Sequence, residues 1–306
     1  MKINSRHIAL LSLLVMAYYL VMAALLHRQG YEHSEALFYS EKLKLLFEYK
    51  ENQLLTIGTT FPTTVFLVNI VFSPFGYVFA PIASSILMMS ILVYTILSDI
   101  RRGQLNQVFL AAMVMALFLF HPQFVFAAIS GRNIAAVMLF LYLLFRQIFN
   151  YYRSQTTYYL SITSVFLGLL IFTEIKFLWL VLSFFPFIVM IALEGLKISR
   201  NEPVDVQYVQ ALNNRSQRRK LVNRTVALYL IIFLLPLSAL VMFRMLNQAH
   251  AGLSTYFLTS QFANWRVTGV TPLNQVLQGG AAGNVMFQGQ MVFPLYLMGL
   301  TPLYVL

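Results

Sequence analysis

Apolar residues fall in long runs along this chain, broken by short polar stretches. The runs cover positions 8–26, 78–97, 108–120, 134–149, 159–172, 177–193, 226–243 and 290–306. Each is apolar all round, with neither the one-sided stripe of a surface helix nor the alternation of a membrane β-strand. A helix needs about 20 apolar residues to cross a bilayer, and several runs approach that length. The pattern predicts an all-α fold: a polytopic membrane helix bundle of about eight spans, forming a single transmembrane domain over 1–306. The first run follows Lys2 and Arg6. It is too long for the apolar core of a signal peptide, so it reads as a retained span with a cytoplasmic N-terminus.

The breaks define the loops. An outer loop is expected at 28–76. Within it Ser34 is the expected N-cap of an amphipathic helix, with Glu35 in the first turn, where a carboxylate suits the helix dipole. Ala36, Tyr39, Leu43, Leu46 and Phe47 share one face at helical spacing, and Glu41, Lys44, Glu48 and Glu51 share another. Such a helix would lie on the membrane surface. The apolar piece 63–72 is too short to span and is broken by Ser73-Pro74-Phe75-Gly76, so it reads as interfacial or re-entrant. With one crossing at 78–97, Arg101 and Arg102 fall on the cytoplasmic side. A second outer turn runs from His121-Pro122 to Arg132-Asn133. The stretch 194–224 reads as a basic cytoplasmic loop. A second large outer loop covers 244–287, where Trp265 and Arg266 suggest another interfacial helix.

Composition agrees with a membrane protein: 59% of residues are hydrophobic and 10% charged, against about a quarter charged in soluble domains. The net charge of +11 is explained by basic cytoplasmic loops, so the expected partner is membrane lipid, not nucleic acid. With no cysteine, disulfides and thiol chemistry are excluded. No His, Asp or Glu cluster has metal-ligand spacing, and no metal or cofactor is expected. The stretch from Gln278 to Gly283 lacks the lysine and preceding strand of a phosphate loop. The glycosylation patterns at Asn214 and Asn223 fall in the cytoplasmic loop and carry no weight.

Three outer turns hold the chemistry-bearing residues. The first begins Ser34-Glu35-Ala36-Leu37-Phe38-Tyr39, and Thr60-Phe61-Pro62 closes it. The second is His121-Pro122 through Gly131, and the third is Phe172-Thr173-Glu174-Ile175-Lys176. This succession of spans and turns resembles the integral-membrane glycosyltransferases of the GT-C fold, such as protein mannosyltransferases and lipid A aminoarabinose transferases, over most of 1–195. In that family the first loop commonly reads Asp-Glu-Ala followed by an aromatic residue, and a Tyr-Pro-Pro patch often precedes the next apolar piece.

The resemblance implies transfer of a sugar from a polyprenyl-phosphate carrier to an acceptor on the outer face of a bacterial inner or plasma membrane. Such a reaction needs a carboxylate to take the acceptor's proton and cations on the leaving phosphate. Glu35 is the expected base, with Glu32 as its neighbour. Arg132, Lys176, Arg244 and Arg266 are outer-side cations suited to a phosphate, and His121 is a candidate for a substrate hydroxyl. Glu174 and Lys176 are spaced to pair only if their turn is not helical.

The alternative is a non-catalytic scaffold subunit of a larger membrane complex, derived from the same fold. Ser34 stands where the family usually has an acid, and Arg132-Asn133 where it often has a second one. A transporter is disfavoured, because the span centres hold almost no ionisable groups.

Overall fold

The computed structural model describes residues 4–30, 32–49, 62–103, 106–196 and 204–259. All regular structure among them is helical. In chain order the helices are α1 (Ser5–Arg28), α2 (Ser34–Lys44), α3 (Thr63–Phe72), α4 (Phe79–Arg102), α5 (Gln107–Phe120), α6 (Pro122–Ile129), α7 (Ile134–Ser154), α8 (Thr157–Thr173), α9 (Leu180–Glu194), α10 (Val204–Asn213), α11 (Arg215–Ala251) and the single turn α12 (Tyr256–Thr259). Short 3₁₀ turns follow α3 and precede α9, and α2 runs on into a π-helical turn, Leu45–Tyr49.

Among the described residues, five helices are long and apolar enough to cross a membrane, or six if the bent pair α5–α6 counts as one span. The chain is therefore a helical membrane protein. The first seven apolar runs each lie on a helix. The run 108–120 ends at Pro122, where α5 and α6 meet at 63°. Proline cannot donate to the preceding turn, so the helix breaks there. The run 159–172 becomes the 17-residue α8. The run 290–306 lies outside the described residues.

Two compact units are distinguished by their internal contacts: Met1–Tyr142 with Leu246–Pro272, and Leu143–Met245 with Leu273–Leu306. The first is built around α4, which touches α1, α2, α3, α5 and α6. The sequence of α4 explains this role. Ser84, Ser85, Ser90 and Thr95 are buried on it, and the Ser85, Ser90 and Thr95 hydroxyls each donate to a carbonyl one turn earlier. Small residues with internally satisfied hydroxyls let neighbouring helices approach closely in an apolar medium. Between α1 and α5, the buried Tyr19 hydroxyl donates to the Phe118 carbonyl at 2.7 Å.

The second unit packs an aromatic cluster between α9 and α11. Phe184, Phe187, Tyr229 and Phe233 lie ring against ring, and the Tyr229 hydroxyl donates to the Val181 carbonyl. Arg224 donates to the Gly195 carbonyl at 2.9 Å and to the Gln155 side chain. Its cation thus meets the negative end of α9.

Two expectations for the charged segments change. The stretch 194–224 is not simply a loop: 204–213 is helical, and its basic residues from 215 onward open α11. The boundary expected near 243 moves to Ala251, so Arg244 sits on α11 rather than in a loop. The helix continues because no glycine or proline interrupts it between Pro236 and Gly252.

Candidate functional site

The site is built on the N-terminus of α2. The N-cap is His33, one residue before the expected Ser34, and its Nδ1 accepts the Glu35 N–H at 3.1 Å. An imidazole nitrogen thus does the work usually given to a serine or aspartate oxygen. The His33 ring also meets Phe126 edge-on. Burial, together with the nearby Arg132 cation, lowers its pKa below the ordinary histidine value, against the opposing pull of Glu35.

From this cap α2 turns Ala36, Tyr39, Leu43 and Leu46 inward, while Glu41, Lys44 and Glu48 face outward. The predicted two-faced pattern holds for these residues. Phe47 departs from it: the ring is exposed and stacks on Tyr77. The inner face packs against α3 and α4. It also carries two charged residues, Glu35 and Lys42, which stand about one helical turn before and after Tyr39 on the same side.

Glu35 is held by three donors. Arg132 Nε donates to Oε2 at 3.1 Å, the Tyr39 hydroxyl to Oε1 at 3.2 Å, and the Asn133 N–H to Oε1 at 3.4 Å. The Glu35 side chain is 4% exposed and that of Arg132 31%. A carboxylate offers about four acceptor sites, so about one remains. The Arg132 side chain meets Glu35 through Nε and is otherwise partly exposed.

Gly131 lets the segment before α7 reach α2. Its φ is +66°, and an added Cβ would lie 2.9 Å from Ala36 Cβ and 3.3 Å from the Pro81–Ile82 backbone. No other residue type fits both the left-handed backbone and this approach.

The same face of α2 carries a second buried charged group. Lys42 is fully buried, with its ammonium 4.4 Å from the centroid of Phe66. Desolvation pushes its pKa down to about 7. One turn from Phe66 on α3, the buried Asn69 accepts the Ser84 hydroxyl through Oδ1. Its amide nitrogen has no partner among the described residues.

The other predicted residues make contacts of their own. Glu32 pairs with His27 at 3.1 Å. His121 is exposed at the α5–α6 corner, with its ring edge against Phe124. In the second unit Lys176 pairs with Glu174, whose backbone is extended, the non-helical turn such a pair requires. Arg244 is exposed on α11. Arg266 lies outside the described residues. Sequence reasoning passed over His33, Tyr39, Lys42, Asn69 and Asn133. The spacing Glu35, Tyr39, Lys42 was the available signal, since steps of four and three keep residues on one helical face. Among the described residues, no three His, Asp or Glu side chains gather as a metal site would need.

Comparison with protein-family models, curated proteins and solved structures finds no match to this chain.

Proposed function

We propose that this chain is a GT-C-like glycosyltransferase that moves a sugar from a polyprenyl-phosphate carrier to an acceptor on the outer membrane face. The observation that carries the reading is the meeting of Glu35 and Arg132 from two separate turns, with the Arg132 side chain 31% exposed. The reading includes a cytoplasmic N-terminus, about eight spans, surface helices in the first outer loop and a bacterial inner membrane.

In this reaction the bond from the sugar's anomeric carbon to the phosphate oxygen breaks, and a bond to the acceptor oxygen forms. The acceptor's proton passes to the open site on Glu35. The departing phosphate keeps the electron pair and rests on Arg132. Asn133 and Tyr39 hold the carboxylate in place.

The test uses full-length protein in vesicles with a polyprenyl-phosphate-linked sugar, reading release of the free polyprenyl phosphate. Turnover that falls at least about a hundredfold in Glu35→Gln, with donor retention lost in Arg132→Met, supports the proposal. Neither retention nor turnover by the unaltered protein overturns it.

A second reading rests on how fully Glu35 is engaged. A buried carboxylate with three donors also suits a non-catalytic scaffold in which the pair only fastens the loops. That reading expects the protein to purify in a fixed ratio with other membrane subunits and to ignore the donor.

A further inference from the structure

In α10 the apolar side faces outward. Gln207 and Ala211 are buried, while Tyr208, Val209 and Leu212 are 41%, 55% and 40% exposed. The helix packs on α9 through its small and polar side, so its large apolar residues are left for something outside the protein. Directly after it, Asn214 caps α11 by accepting the Ser216 N–H at 3.0 Å.

The first turns of α11 carry Arg215, Arg218, Arg219 and Lys220, all exposed, with no acidic residue in the first turn. Cations at a helix N-terminus oppose its dipole. Their placement calls for external anions. At three- and four-residue steps the exposed surface passes from Arg215, Arg218 and Arg219 into Val222, Val226 and Leu230. The change from cationic to apolar therefore occurs along one solvent-facing side, between Lys220 and Val222. At about 1.5 Å per residue the rise from Val222 to Arg244 is ~33 Å, close to a hydrocarbon thickness of about 30 Å. Val222 and Arg244 thus stand about one hydrocarbon thickness apart along α11.

We infer that α10 and the first turns of α11 form a docking surface for anionic phospholipid, with Tyr208, Val209 and Leu212 in the acyl boundary and Arg215, Arg218, Arg219 and Lys220 on headgroup phosphates. Apolar burial on one side and cations beside it are what an interfacial helix needs, and basic residues bordering a span attract acidic lipid. The inference does not depend on glycosyl transfer.

Because the chain has no cysteine, Val209→Cys gives a single site for a polarity-sensitive dye on the full-length protein. The protein is placed in vesicles of phosphatidylcholine alone or mixed with phosphatidylglycerol. The expected result is blue-shifted emission, quenched by lipids brominated near the headgroup, with retained phosphatidylglycerol enriched over phosphatidylcholine. Arg218→Glu with Arg219→Glu should reduce that enrichment by roughly tenfold or more. A dye at Leu230→Cys, in mid-span, must stay quenched by deeply brominated lipid in the double variant, which shows that the fold survives. Emission typical of water at position 209 overturns the inference. So does a blue shift that brominated lipid leaves unquenched, since a protein surface or second copy then covers the helix. Equal retention of both lipids overturns the headgroup assignment.

Discussion

Glu35 and Arg132 stand 97 positions apart in the chain and meet at 3.1 Å, the carboxylate buried and the guanidinium a third exposed. The pair joins the first turn of α2 to the short segment before α7. Neither loop is held by this contact alone. Tyr39 reaches the same carboxylate from within α2, and Asn133 reaches it through its backbone. The result is a small hydrogen-bonded cluster within the first unit, with the Arg132 cation partly exposed.

Removing Arg132 leaves the buried carboxylate with two donors. Breaking a buried pair costs roughly 3–5 kcal/mol, and the exposure of Arg132 reduces this to about 2 kcal/mol for Arg132→Ala. Glu35→Gln should lose less, because the amide oxygen still accepts from Tyr39 and Asn133. Thermal unfolding in detergent of both single variants and the double should show a coupling of about 1 kcal/mol. Strictly additive losses would mean the pair does not stabilise the loops.

Gly131 and Gly30 give a matched comparison. Their φ values are +66° and +77°, but nothing lies within 4 Å of a Cβ built on Gly30. Gly30→Ala should lose about 1 kcal/mol from backbone strain alone. Gly131→Ala adds the clash with Ala36 and Pro81–Ile82, and should lose about 1–3 kcal/mol beyond that. Equal shifts in melting temperature for the two variants would show that the close approach at Gly131 is unimportant.

Lys42 makes stability depend on pH in a direction that can be measured. Its folded pKa is about 7, below the unfolded value of about 10.4. Between these values the unfolded chain holds a proton that the folded one lacks, so stability rises with pH, by about 1.4 kcal/mol per unit from this group. Below pH 7 both states are protonated and the full penalty of burying the ammonium is present. Lys42→Met removes the penalty. It should unfold at higher temperature than the unaltered protein at pH 6, and the gap should narrow by pH 9. An unchanged gap across that range would place the titration elsewhere.

The apolar runs determined that this chain is helical and enters a membrane, because a stretch with no polar side can be satisfied only by lipid or by other apolar helices. The same reasoning located the start of a two-faced helix at Ser34 and the end of the run 108–120 before His121-Pro122, both local consequences of residue spacing and turn residues. It also singled out Glu35 and Arg132 separately. Only the tertiary structure decided that they meet, since the contact depends on Gly131 allowing one turn to pass against Ala36. It also decided that α2 buries Lys42 against Phe66, that Arg244 belongs to a helix, and that α10 shows its apolar side to the outside. Periodicity tells which residues share a face, whereas the packing partner decides what that face meets.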